Sequence, residues 1–242
     1  MPIELGQIEA LFRYPVKSMR GEPLDDATLG WNGLDGDRRF AFRRLDDRGG
    51  FPWLNASKLP DLIRFTPQRR EDGNGEPLPT HVCTPEGEVL PLFGEALAVD
   101  VGRRSGFPVQ MMQLRQGIFD EASISVITSD TAREIGRLAG TSADIRRFRP
   151  NIVVRSTRAV PFEENQWVGG VLTFGDADDA PAVTVTMRDI RCVMVNFDPD
   201  GASPAHEILK AVARANQNTA GIYGTVTRTG RLAVGQMVLL HR

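Results

Sequence analysis

The sequence predicts a mainly β protein of the α+β class, barrel-like, with a few helices in its second half. Three observations carry that expectation. Apolar and polar residues alternate in many short runs, the period of a strand with one buried face. Turns rich in Gly, Pro, Asn and Asp separate those runs. Only two segments, both beyond residue 118, combine helical spacing with identifiable ends.

Taken in order, Ile8, Ala10, Phe12 and Tyr14 alternate with Glu9, Leu11 and Arg13 and predict a first strand, which Pro15 interrupts so that Lys17-Ser18 stands at its end. A turn-rich connection from Gly30 to Gly36 leads into Asp37-Arg38-Arg39-Phe40-Ala41-Phe42-Arg43-Arg44, a strand with Phe40 and Phe42 on one face. Asp46-Asp47-Arg48-Gly49-Gly50 reads as a hairpin turn. Thr66 to Thr80, with Asp72-Gly73-Asn74-Gly75 and three prolines, reads as an exposed loop. Short strands are expected around Val82 and Val99.

The character changes near residue 118. Ile124, Val126 and Ile127 form a short strand, and Thr131-Ala132-Arg133-Glu134 has the form of a capping box opening a helix that Gly140 closes. Strands follow at Ile152-Val153-Val154, at Val171 to Phe174, at Val183 to Met187 with Val183, Val185 and Met187 sharing a face, and at Val193 to Phe197. Beyond the Asp198-Pro199-Asp200-Gly201 turn, Ser203-Pro204 reads as a cap and first residue of a second helix, with Ile208, Ala211, Val212 and Ala215 as its apolar stripe. Gly221 to Gly224 and Met237 to Leu240 give closing strands.

A chain of 242 residues buries a sizeable core in one large domain or two ordinary ones. The 29 Lys+Arg nearly balance 31 Asp+Glu, for a net charge of -2, so neither a general nucleic-acid surface nor a polybasic membrane anchor is expected. The only lysines are Lys17, Lys58 and Lys210. The remaining basic residues are arginines, whose planar fork suits phosphate and carboxylate. No signal peptide opens the chain and no run approaches the ~18 apolar residues of a membrane helix, which makes the cytoplasm the expected compartment. Cys83 and Cys192 form neither a disulfide framework nor a zinc-ligand spacing, and His81, His206 and His241 lack metal-ligand spacing among themselves.

Four polar clusters sit at predicted strand ends: Lys17-Ser18, Asp37-Arg38-Arg39, Arg146-Arg147-Phe148-Arg149-Pro150-Asn151, and Arg188 to Cys192. Converging, a lysine, a hydroxyl and several arginines would make a phosphate or carboxylate site. Each cluster alone also reads as a solvated charged rim. Cys192 is open in the same way. It is either a small buried strand residue or a reactive thiolate whose pKa is lowered by Arg188 and Arg191. Asp120 and Glu121 are either general acids or loop charges.

Together the clusters resemble the MOSC family. The motifs that carry the likeness are Tyr14-Pro15-Val16-Lys17-Ser18, Asp37-Arg38-Arg39-Phe40, Arg147-Phe148-Arg149-Pro150-Asn151 with Ile152-Val153-Val154, Pro161-Phe162-Glu163-Glu164-Asn165-Gln166-Trp167, and Arg191-Cys192 with Asp198-Pro199. The resemblance implies two β-barrel-like domains: an N-terminal β-barrel domain over residues 1–118, and a MOSC domain with a few helices over 119–242. It implies a molybdenum cofactor, a pyranopterin dithiolene, in an oxidoreductase similar to the mitochondrial amidoxime-reducing component and its bacterial homologues. Such an enzyme removes oxygen from N-hydroxylated or N-oxide substrates, with electrons from an external ferredoxin- or flavoprotein-type donor. By the same resemblance Cys192 is the metal ligand, and Lys17, Ser18, Arg38, Arg149 and Asn151, with Arg191 beside them, hold the pterin and its phosphate. Asp120 lies near the metal as a proton relay. This chain differs from amidoxime-reducing relatives at Asp189, where they carry a second cysteine, at Val195-Asn196, where they carry threonines, at Glu121-Ala122 and at Ser57. Two rival readings accompany this one: a cofactor sulfur carrier using a Cys192 persulfide, and a non-catalytic β-barrel binding module.

Overall fold

A computed structural model describes residues 1–70, 78–142, 144–201 and 204–242. The chain opens with β1 (Ile3–Arg13), β2 (Glu22–Leu24), β3 (Asp26–Gly30), β4 (Gly33–Leu34) and β5 (Phe40–Arg44). Then come β6 (Thr66–Gln68), β7 (His81–Cys83), β8 (Val89–Pro91), α1 (Glu95–Ser105) and β9 (Val109–Gln113). The second half holds β10 (Ile124–Thr128), α2 (Ser129–Ala139), β11 (Ile152–Ser156), β12 (Val171–Phe174), β13 (Ala182–Ile190), α3 (Glu207–Asn216), β14 (Thr219–Arg228), β15 (Gly230–Ala233) and β16 (Met237–His241).

The expected barrel is present as a closed ring of seven strands, in the order β11-β10-β14-β13-β12-β16-β1, and β1 pairs back onto β11. β1 can close it because it is long and irregular. Its register shifts against β11 between Ile8 and Ala10, and against β16 between Glu4 and Gly6, and such bulges bend a strand around a barrel. Ile8, Leu11, Val126, Ile152, Val154, Phe174, Val185 and Ile222 fill the interior. The alternate residues Ile127, Val153 and Ala220 face outward under Ile135 of α2 and Ile208 and Val212 of α3. These strands therefore read as unbroken apolar runs, because both faces are covered.

The first half packs its own core from Phe40, Phe42, Leu54, Phe65, Leu97, Val101 and Met111, around the β5–β9 pair and the β6-β7-β8 sheet. Val16 and Met19 join this core, but the strands β1 to β4 belong elsewhere. β1 and β2 are part of the large sheet, and β3 pairs with β15.

Several local expectations are corrected. The segment around Val99 is helical, not a strand. Leu97 and Val101, four apart, are its buried stripe, Val99 is exposed, and Gly106 closes it in the left-handed conformation (φ 76°). Residues 193–196 form a 3-10 turn instead of a strand. A register shift between Val185 and Met187 turns Met187 outward, away from the face of Val183 and Val185. Part of the expected 66–80 loop is strand β6, while Asp72-Gly73-Asn74-Gly75 lies outside the described residues. Ser203 also lies outside them, and α3 begins only at Glu207.

The second-half helix starts three residues before the expected one, at Ser129. Thr128 caps it, its Oγ1 accepting from the Thr131 N–H at 3.2 Å. Thr131 is occupied with Glu164, a fully buried carboxyl whose Oε2 accepts from the Thr131 hydroxyl at 2.9 Å and the Thr128 hydroxyl at 3.1 Å. The Pro161 to Trp167 motif is thus a clamp on this helix start. Thr128→Ala is expected to cost about 1–2 kcal/mol, read as a lower urea midpoint, and Thr128→Ser to recover most of it. Equal losses in both variants would show that the hydroxyl is not the cap.

Candidate functional site

The ladder of paired residues decides where the polar clusters meet. Leu11 pairs with Ile152, Ile152 with Val126, Val126 with Ile222, and Ile222 with Arg188. The segment after β1, those before β10 and β11, and the end of β13 therefore emerge at one rim of the barrel. All eight residues singled out from sequence, Lys17, Ser18, Arg38, Asp120, Arg149, Asn151, Arg191 and Cys192, line one cavity of about 580 Å³ there. Asn55, Ser57, Phe119, Glu121, Asp189, Val195 and Tyr223 also face it.

Three cations dominate its interior. The Lys17 ammonium is buried, 2.7 Å from Asp120 Oδ1 and 5.2 Å from the Phe51 ring centre, and burial pushes its pKa down against the pull of Asp120. Arg38 pairs with buried Asp37, whose other oxygen accepts the Tyr14 N–H at 2.7 Å. Burial opposes the charge of Arg38, but Asp37 outweighs it and holds the guanidinium above its ordinary value. Arg38 also reaches the Arg149 carbonyl at 3.1 Å and Asn151 Oδ1 at 3.3 Å. Arg149 lies 4.2 Å from the Tyr14 ring centre and, among the described residues, hydrogen-bonds only to the Met19 carbonyl, at 2.8 Å. With no carboxylate on it, burial lowers its pKa to about 10. A desolvated arginine sharing a cavity with Arg38 and Lys17 is stabilised by an incoming anion.

The backbone carries strain at the same place. Ser18 (φ 65°), Arg38 (φ 49°) and Arg149 (φ 49°) are all left-handed without being glycine. Such a residue costs on the order of 1–3 kcal/mol, and such strain collects at ligand clamps. Pro150 contributes by barring the ordinary helical conformation at Arg149.

Asn151 holds the rim together. Its Oδ1 accepts the Ser125 N–H at 3.1 Å, and its amide donates to the Phe12 carbonyl. Arg191 lines the cavity, but its guanidinium is committed to protein acceptors: the carbonyls of Ala220 and Phe148, each at 2.7 Å, and Asp189 Oδ2 at 2.7 Å. Gly221 makes room for this. A Cβ there would lie 3.1 Å from Arg191 Nη2 and 2.6 Å from the Val126 carbonyl, and its φ of +83° suits glycine. Arg188 reaches out to Gln217 at 3.3 Å. The arginines flanking Cys192 in sequence are thus engaged elsewhere. The Cys192 side chain is free and exposed, ahead of the 3-10 turn.

Asp189, singled out in the sequence as a departure from the amidoxime-reducing relatives, proves to be a cavity residue. It is fully buried, accepts from the Ser125 hydroxyl at 2.9 Å, and leaves Oδ1 without a partner among the described residues. Tyr223 is an ordinary strand residue that sequence reasoning does not single out, and it reaches the cavity through the pairing of β14 with β10 and β13.

The donor set fits a phosphorylated, metal-carrying group. Among the described residues no cluster of three or more His, Cys, Asp or Glu could hold a metal ion. A metal at Cys192 therefore brings its other ligands with it, while the thiolate suits a soft metal. Lys17, Arg38 and Arg149 would take a phosphate and Asn151 orient it.

The MOSC domain model matches residues 113–239, just over half of the chain, and the MOSC N-terminal beta barrel domain model matches 5–80. Among solved structures, the chain is similar to the YUAD protein from Bacillus subtilis, at 14% identity and a TM-score of 0.53, over 100% of this chain and 98% of that one. It is also similar to YiiM from Geobacillus stearothermophilus, at 17% identity and a TM-score of 0.37, over 50% of this chain and 54% of that one. No curated protein matches.

Proposed function

This chain belongs to the MOSC domain family, whose members are associated with the molybdenum cofactor, and from that premise we propose that it is a molybdenum cofactor-dependent oxidoreductase. Its substrates are N-hydroxylated compounds or N-oxides, and a separate ferredoxin- or flavoprotein-type donor supplies the electrons, in the cytoplasm. The observation that carries this reading is the cavity itself: one exposed thiol, Cys192, shares it with Lys17, Arg38 and the carboxylate-free Arg149.

When bound, the molybdenum dithiolene supplies two-electron exchange of an oxygen atom. The chain's residues do the rest. The Cys192 thiolate holds the metal. Lys17, Ser18, Arg38, Arg149 and Asn151 hold the phosphate and pterin by charge-assisted hydrogen bonds. Asp120 is an exposed acid of the cavity wall and carries protons between solvent and Lys17 Nζ, 2.7 Å from its Oδ1. No helix among the described residues is long and apolar enough to cross a membrane.

Purification from a host that makes the cofactor is expected to give about one molybdenum and one pterin per chain. Protein free of both, and not reconstituted by added cofactor, overturns the proposal. The exposure of Cys192 also fits a sulfur carrier. Its mark is a reducible adduct of roughly 32 Da on intact protein without molybdenum.

A further inference from the structure

Charge on the wall of the candidate cavity is almost fully cancelled within the protein. Lys17 pairs with Asp120, Arg38 with Asp37, Arg147 with Asp198 and Arg191 with Asp189. Of the charged residues that line it, Arg149 and Glu121 are left without an ion pair among the described residues. They are of opposite sign and differ in setting. Arg149 is desolvated beside the Tyr14 ring, where the proposed phosphate is held. Glu121 is exposed, in the connection that leads into β10. A phosphate neutralises Arg149 and leaves Glu121 as the side-chain charge on this wall that still lacks a counterion.

The exposed side of the cavity is otherwise apolar. Ile190 is 70% exposed and stands two residues before Cys192. It is no isolated surface residue, because the half-buried Phe119, Val193 and Met194 line the same cavity, and a contiguous exposed apolar wall of this kind marks a binding site. The Ser125 hydroxyl, 2.9 Å from Asp189 Oδ2, ties the start of β10 to the end of β13, so Glu121 and Ile190 belong to one rim.

We propose that Glu121 and Ile190 set the substrate class of the site: a molecule that joins a positively charged nitrogen group to an apolar body. Ile190 and Phe119 pack the body on the side where Cys192 stands, and the Glu121 carboxylate takes the cation by a charge-assisted hydrogen bond. Apolar contact supplies affinity without direction. The carboxylate supplies the choice between a cation and a neutral molecule of the same shape. The inference rests on the reading of this cavity as a reductase site, and Glu121 is a position at which this chain departs from its amidoxime-reducing relatives.

Benzamidine, a cation on a flat apolar ring, and benzamide, a neutral molecule of nearly the same shape, test the proposal by NMR titration. The protein is used as purified, with inorganic phosphate present to occupy Arg149. Benzamidine is expected to bind about fivefold tighter, the upper end of what an exposed ion pair contributes. The advantage shrinks at about 1 M salt, where the screening length is about 3 Å. Glu121→Gln is expected to erase the advantage and leave benzamide unchanged, and Glu121→Asp to keep part of it. Ile190→Asn is expected to weaken both probes by a similar factor, about threefold or more. Failure of both probes to bind, equal affinities in the native protein, an advantage that survives Glu121→Gln, or affinities that Ile190→Asn does not change overturn the inference. Molybdenum and pterin are measured on the same samples. Metal present without the preference strikes this inference alone, whereas the preference without metal leaves the cation site standing and strikes the oxidoreductase reading.

Discussion

Cys192→Ser is expected to leave the fold intact and to lower molybdenum loading by at least about 100-fold. Removing a group that hydrogen-bonds to a metal ligand costs about 10–100-fold in affinity, so removing the one proposed protein ligand costs no less. A serine oxygen is also a harder donor, poorly matched to a metal that favours sulfur. Because the side chain is exposed and free, the substitution disturbs no packing. Lys17, Arg38 and Arg149 are untouched, so phosphate affinity in the cofactor-free protein should match that of the native chain. Metal analysis of variant and native protein purified side by side decides the matter. Equal metal content would remove Cys192 from the site.

The second large effect concerns Asp189. Complete burial pushes its carboxyl up to about 6 from an ordinary 3.8, even though Arg191, 2.7 Å away, and the Ser125 hydroxyl pull it down. Because the folded pKa exceeds the unfolded one, the native state holds the proton more tightly, and stability falls as pH rises from about 4 to about 6. The gap between 3.8 and about 6 corresponds to about 3 kcal/mol. Asp189→Asn keeps the shape and the Ser125 contact but cannot ionise, and Arg191 retains the Ala220 and Phe148 carbonyls. The variant is expected to equal the native protein near pH 4 and to exceed its stability by up to about 3 kcal/mol at pH 7. Urea denaturation at a series of pH values reads the difference. Parallel profiles for the two proteins would mean that this carboxyl does not titrate in that window.

An ionised carboxyl held at such a cost lies on the cavity wall, at one of the positions where this chain departs from its amidoxime-reducing relatives. The other departures are structural in different degrees. Asn196 is buried, and its side-chain oxygen accepts the Leu209 N–H at 2.9 Å, steadying α3. Val195 packs against the helices at the cavity wall, and Ser57 and Glu121 also face the cavity.

Much of this was legible in the chain because it is local. The alternation of Ile8, Leu11 and their neighbours, the apolar run Ile152-Val153-Val154, the glycine closing the helix at Gly140 and the polar clusters at strand ends all follow from side-chain type and short-range period. Where several short-range rules competed, the reading failed. The segment around Val99 carries β-branched residues, but the Leu97 and Val101 spacing and the terminal Gly106 determined a helix there. The segment after Cys192 is as apolar as a strand, yet it turns, because the β13–β14 ladder ends at the Ile190–Thr219 pair, where β14 begins.

The sequence by itself determined the strand-rich class, the charge inventory and the identity of the one thiol and the cations around which a site could form. Tertiary structure alone decided that those groups meet. The pairing of β1 with β11, about 140 residues apart in sequence, brings Lys17 to Arg149. The pairing of β13 with β14 brings Asp189 and Cys192 beside Tyr223. Tertiary structure also decided which arginines remain available. Arg191 and Arg188 looked like partners of the thiol because they are its neighbours in the chain, but hydrogen-bonding geometry commits them elsewhere and leaves Arg149 without a carboxylate. Register and burial set these outcomes, and both depend on residues far apart in the chain, which is why no local pattern announces them.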